Sequence, residues 1–254
     1  MESLFEAERV SKFFGGLAAI WDLSFQIHKG QITGLIGPNG AGKTTLINLI
    51  TGLYPVSKGK FWFKGNDITH SKPHQIGRMG VARTFQIVKP FSGMTVAENV
   101  LIGAMFGKSG MKRSKRDAVK KVEEVLELVG LNKKRDACVE ETTVPDRKRL
   151  ELAKALAMEP ELLFLDEVMA GLTPKETEDV MALVKELNRS GITILAIEHV
   201  MKAIMGISDR VIVLDQGKLI SEGTPDEVSR DEKVIKAYLG LRYGKRGYRG
   251  PAQA

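Results

Sequence analysis

The chain has 254 residues, 43% hydrophobic and 27% charged, which suits one large α/β domain or two tightly joined lobes and excludes disorder and collagen-like repetition. Its one cysteine, Cys138, rules out an intrachain disulfide and cysteine-rich metal sites. The net charge of +7 is concentrated in residues 108–121 (net +6) and in the tail 241–254, which has four basic residues and no acid.

The remainder is mildly acidic, and no helix-turn-helix, zinc-finger or RRM pattern is present, so nucleic acid is not an expected partner. The two basic segments read as solvated surface, with a lipid surface or a partner loop as the alternative. No apolar run approaches the ~18 residues that span a bilayer. The start, MESLFEAERV, lacks the basic-then-apolar pattern of a signal peptide, so a soluble intracellular protein is expected.

Taken in chain order, Leu4, Phe5 and Val10, then Leu23, Phe25 and Ile27, alternate as two or three antiparallel strands closed by a turn at His28-Lys29-Gly30. Ile32–Ile36 is a short apolar strand running into GPNGAGKTT and an apolar helix, Leu46–Ile50. Lys60–Lys64 is a further strand. Thr95–Phe106 and Lys115–Val129 have helical spacing, the second with Val119, Val122, Val125, Leu126 and Val129 on one face, and Leu150–Ala157 is another helix. From residue 161 strand and helix alternate: strands at Leu162–Leu165, Ile192–Ile197 and Val211–Leu214, helices at 174–189, 200–205 and 231–239.

Such alternation implies a mainly parallel sheet covered on both faces. The expected architecture is a single α/β unit over 1–254, with a core that includes an antiparallel β part (1–87 and 159–240), an inserted helical lobe (88–158) and a basic tail (241–254).

Gly37-Pro38-Asn39-Gly40-Ala41-Gly42-Lys43-Thr44 fits G-x-x-x-x-G-K-[ST], after a strand and before a helix. The glycines let backbone N–H groups converge on phosphate oxygens, and the helix start adds positive potential. Lys43 reaches the β/γ phosphates, the Thr44 hydroxyl is a Mg²⁺ ligand, and Thr45 completes the loop. Asp166 and Glu167 close a buried strand, placed to hold Mg²⁺ through water and to polarise an attacking water, respectively.

These residues resemble the ATP-binding subunits of ABC transporters, over nearly the whole chain, which implies an α/β fold of P-loop NTPase type whose core binds nucleotide. Ala82-Arg83-Thr84-Phe85-Gln86, Ala170-Gly171-Leu172-Thr173-Pro174 and Ala237-Tyr238-Leu239-Gly240 resemble the branched-chain amino acid importer subfamily in particular. The resemblance implies that Gln86 senses Mg²⁺ and the γ-phosphate and leads to the membrane-subunit contact. It implies that His199 contacts the γ-phosphate, and that Phe14, or its neighbour Phe13, stacks on adenine. Ala170–Thr173 matches the loop that crosses to the partner subunit. ATP and Mg²⁺ are the implied ligands. The implied partners are integral membrane permease subunits and a second ATPase, identical or related, at the cytoplasmic face of the cell membrane.

One segment departs from the family pattern. The signature that approaches the γ-phosphate held by the other subunit falls at Thr142-Thr143-Val144-Pro145-Asp146. Thr143 keeps a hydroxyl for nucleotide, whereas Pro145 has no N–H to donate. Val168 and Thr173 are smaller departures. A nucleotide-gated module with little hydrolysis is therefore the alternative, as is an importer of urea or short amides. Lipopolysaccharide export is disfavoured by Ala82–Gln86.

Overall fold

The computed structural model describes residues 2–85, 90–109 and 114–239. Two sheets organise the molecule. The first is antiparallel, in the order β2-β1-β4-β5, from β1 (Ser3–Phe14), β2 (Leu17–His28), β4 (Lys58–Phe63) and β5 (Asn66–Asp67). Its inner face buries Phe5, Phe25 and Phe61 as tilted neighbours, ring centres 5.5–6.0 Å apart. The second sheet has the order β10-β9-β3-β8-β7-β6, from β3 (Ile32–Ile36), β6 (Val81–Arg83), β7 (Leu162–Asp166), β8 (Thr193–Ile197), β9 (Arg210–Asp215) and β10 (Lys218–Gly223). Only β9–β10 pairs antiparallel in it.

β3, β7 and β8 are buried at every residue, as expected for strands covered on both faces. Their side chains alternate between two cores. Leu162, Phe164, Leu195 and Ile197 face the antiparallel sheet and helix α1 (Lys43–Ile50). Leu163, Leu165, Ile194 and Ala196 face the opposite core, which is built largely from helices. That second core also takes up α3 (Val96–Phe106), α4 (Lys115–Leu128) and α5 (Val144–Ala157), which run between β6 and β7.

The remaining helices are α2 (Pro73–Met79), α6 (Pro174–Arg189), α7 (Met201–Ile207), α8 (Pro225–Arg230) and α9 (Glu232–Leu239). Four helix starts carry reciprocal caps, each a Thr bonded to the acid three residues on: Thr95/Glu98, Thr143/Asp146, Thr173/Glu176 and Thr224/Glu227.

Several expectations are corrected. α5 begins at Val144, six residues before the expected Leu150, because Thr143 caps it and Pro145 fits its first turn. Val119 is exposed rather than on the buried face of α4. Ala118 takes that place, and Val119 lies one 100° step round the helix from it, at the edge of the stripe formed with Val122, Val125 and Leu126. The N-terminal segment forms two long antiparallel strands, in keeping with the expected two or three, with irregular register near Arg9 and Asp22, both at positive φ. β6, β10, α2 and α8 have no counterpart in the sequence reading. They are short, and β10 is half-exposed along its length, so neither shows a hydrophobic period.

Candidate active site

The cleft forms at the carboxyl ends of three adjacent parallel strands, β3, β8 and β7, where ligands collect in open α/β sheets. Its volume is about 890 Å³. β3 delivers the phosphate loop. Gly37, at φ +155°, packs so tightly on β9 that a Cβ would meet the Leu214 carbonyl at 2.2 Å. Gly42, at φ +105°, is the left-handed N-cap of α1, and a Cβ there would lie 2.8 Å from the Ala19 carbonyl. Only glycine fits either place. No side chain caps α1 and no acid lies in its first turn, so its leading N–H groups face the cleft unopposed.

The Lys43 ammonium donates to the Gly37 and Pro38 carbonyls at 2.6 and 3.0 Å. Burial lowers its pKa, against the pull of Glu167 and Asp166. Asn39, Gly40, Ala41, Thr44 and Thr45 line the same cleft.

The ends of β7 and β8 bring carboxylates and an imidazole together. Asp166 pairs with Ile197 across the ladder, and the Glu167 N–H donates to the Ile197 carbonyl at 2.9 Å. This brings Glu167 beside the residues that follow β8. His199 Nε2 lies 2.5 Å from Glu167 Oε1, the ring N–H donating to the carboxylate. Glu167 adopts φ +53°, a costly conformation for a non-glycine residue and one that recurs at working sites.

Asp166 is 3% exposed, and burial raises its carboxyl pKa, opposed by Arg83 and Lys43. Among the described residues no cluster of three or more His, Cys, Asp or Glu could cage a metal by itself. A buried carboxylate and a hydroxyl at a phosphate loop are instead the hard-oxygen donor set of Mg²⁺ brought in with a nucleotide. Asp166 and Thr44 fit that ion.

Phe14 lines the cleft, 44% exposed, edge-on to Tyr54 with the Lys12 ammonium 4.9 Å from its ring centre. Phe13 points elsewhere, edge-on to Trp21. Gln86 lies outside the described residues. Thr143 stands at the head of α5 rather than in this cleft. Its hydroxyl and N–H both donate to Asp146 Oδ2, at 2.6 and 3.1 Å, and that oxygen also accepts from Lys134 at 2.5 Å.

Three residues were not read as site residues from the sequence. Arg83 donates to Asp166 at 3.3 Å. Gln216, in the β9–β10 turn, forms part of the cleft wall. Glu198 is 2% exposed, and its Oε1 accepts from the Met169 N–H at 2.8 Å. Burial first, then the neighbouring Glu167 charge, raises the Glu198 carboxyl pKa to about 7. An acid at the end of a buried apolar strand was the available signal.

A second groove, about 730 Å³, opens beside Arg83 and reaches Thr44 and Asp166. Phe85, Phe91 and Phe106 are exposed along it.

The chain matches the family model "ABC transporter" over residues 20–170 and "Branched-chain amino acid ATP-binding cassette transporter" over residues 218–242. It is 40% identical to the high-affinity branched-chain amino acid transport ATP-binding protein LivG of Salmonella typhimurium, over 89% of this chain and 94% of that protein. It is 37% identical to BraF of Pseudomonas aeruginosa, over 93% and 98%. Among solved structures it resembles a nucleotide-free ATP-binding cassette from an ABC transporter, with TM-score 0.84 and 32% identity over 94% of this chain and all of that one. It also resembles the ADP conformation of the cassette MJ1267, with TM-score 0.83 and 33% identity over the same shares. The chain belongs to the ABC transporter family, as an ATP-hydrolysing, nucleotide-binding subunit of the branched-chain amino acid transporter subfamily.

Proposed function

We propose that this subunit hydrolyses MgATP to drive a membrane importer of branched-chain amino acids, the cargo named for its relatives LivG and BraF. The observation that carries the reading is the convergence of the phosphate loop, Asp166, Glu167 and His199 at the ends of β3, β7 and β8. The loop N–H groups and Lys43 hold the β/γ phosphates. Glu167 accepts the proton of the attacking water, and His199 orients Glu167 and faces the γ-phosphate. Thr44 and Asp166 would hold Mg²⁺, which would supply charge neutralisation for the phosphate oxygens, and the family resemblance assigns Gln86 to the same ion. Phe14 offers its ring to the adenine.

Among the described residues no helix is long and apolar enough to cross a membrane. The exposed aromatics Phe85, Phe91 and Phe106 along the second groove offer an apolar surface for a permease subunit, the partner that the transporter reading requires.

The test is steady-state ATP hydrolysis. Glu167→Gln lowers kcat by about 10²–10⁴-fold, the contribution of a positioned general base, while nucleotide still binds. Turnover that survives this substitution overturns the assignment of Glu167.

The head of α5 favours a second reading of the partner. A subunit whose signature donors are occupied by its own Asp146 works best paired with a related ATPase that presents a regular signature, rather than with itself.

A further inference from the structure

The Arg83 guanidinium, 9% exposed, joins three parts of the molecule. One nitrogen donates to Asp166 Oδ2 at 3.3 Å, at the end of β7. Another donates to Asn48 Oδ1 at 2.7 Å and to Thr51 Oγ1 at 3.3 Å, on and just after α1, the helix that starts at the phosphate loop. From the groove side the Phe85 ring lies against the guanidinium, 4.5 Å from ring centre to carbon. Thr44, Asp166, Arg83 and Phe85 all line that one groove. A fixed positive charge thus sits on the carboxylate that the proposed function assigns to Mg²⁺, and its outer face is an exposed aromatic.

We propose that Arg83 is a positioning residue that acts as a resident counter-ion of Asp166 and raises the Mg²⁺ concentration the nucleotide site requires. The Phe85 ring, stacked against the guanidinium, holds it in place. Two cations competing for one buried carboxylate repel each other strongly where water is excluded. Arginine suits the task because its planar group bonds in several directions at once and stacks on a ring.

The inference rests on the nucleotide-site reading above, and its test separates the two. Binding of a fluorescent ATP analogue is titrated with MgCl₂ in the full chain, alongside the melting temperature with and without MgATP. Arg83→Gln lowers the Mg²⁺ concentration at half effect by about tenfold. Arg83→Lys, which keeps the charge, stays near the wild type, and Phe85→Ala falls between. An unchanged or higher Mg²⁺ requirement in Arg83→Gln, or identical shifts in the Gln and Lys variants, overturns the proposal. If the wild type binds no nucleotide at any Mg²⁺ concentration, both readings fall. Melting of the nucleotide-free variants separates a folding defect from a metal effect, because misfolding lowers binding at every Mg²⁺ concentration without moving the midpoint.

Discussion

The starts of α1 and α5 are two helix N-termini that the family resemblance assigns to the same phosphate chemistry, and they are built in opposite ways. α1 begins at a left-handed glycine, with no capping side chain and no acid in its first turn. α5 begins at Thr143, whose hydroxyl and N–H are taken by Asp146, with Lys134 on the same oxygen and Pro145 removing one N–H. Burial alone would raise the Asp146 pKa; its bonds from Lys134 and Thr143 outweigh this and hold it below the ordinary value, so Asp146 stands ionised at the head of α5, paired with the Lys134 ammonium. Every helix leaves N–H groups unsatisfied at its start. A phosphate site keeps them open, whereas a structural start fills them from its own side chains.

The contrast can be broken from either side. Thr45→Asp places a carboxylate at the third position of α1, as in α5. It favours the helix and leaves melting intact, yet weakens ATP binding by about 100-fold or more through charge opposing the phosphates. Equilibrium titration with a fluorescent nucleotide reads it. Conversely, Pro145→Gly with Asp146→Gln opens α5. In a Glu167→Gln background, ATP-driven self-association strengthens by about 10- to 100-fold, the value of one or two charge-assisted bonds. Analytical ultracentrifugation reads it, and no strengthening means that the α5 head does not meet a phosphate.

A smaller effect tests Glu198, the acid beside His199. Glu198 has an ordinary pKa of 4.5, and Glu167 and Lys148 are its charged neighbours. In the folded protein its pKa is about 7, so the native state binds this proton more tightly. The stabilisation is complete below the unfolded value and is lost as pH rises through about 7. Glu198→Gln removes that loss, making the variant more stable than the wild type near pH 8 by about 2 kcal/mol more than near pH 5. Parallel melts at the two pH values check the sign.

What was legible in the sequence follows the range of the interaction. The phosphate loop was readable because all its parts are contiguous and each glycine answers a local need. β3 and α6 fell at their expected bounds, whereas α5 was placed late, because its apolar stretch starts at Leu150 while its cap lies seven residues earlier. Arg83 and Asp166 stand 83 residues apart and Met169 and Glu198 stand 29 apart, and no periodicity announces either pair. The choice of Phe14 over Phe13 was open for the same reason: adjacent strand residues point to opposite faces, and only packing settles which face meets the cleft.

The sequence by itself determined the strand–loop–helix at Gly37–Thr45 and the carboxylates at the end of β7, since each depends on neighbours in the chain. It also wrote the Thr-x-x-acid helix starts, including the one that closes α5. The tertiary structure decided the strand order β3-β8-β7, which brings Lys43, Glu167 and His199 into one cleft. It also decided the placement of Arg83 on Asp166 beneath Phe85. Parallel strands cannot pair through a local turn, so their order is settled only when distant segments share a sheet and bury both its faces.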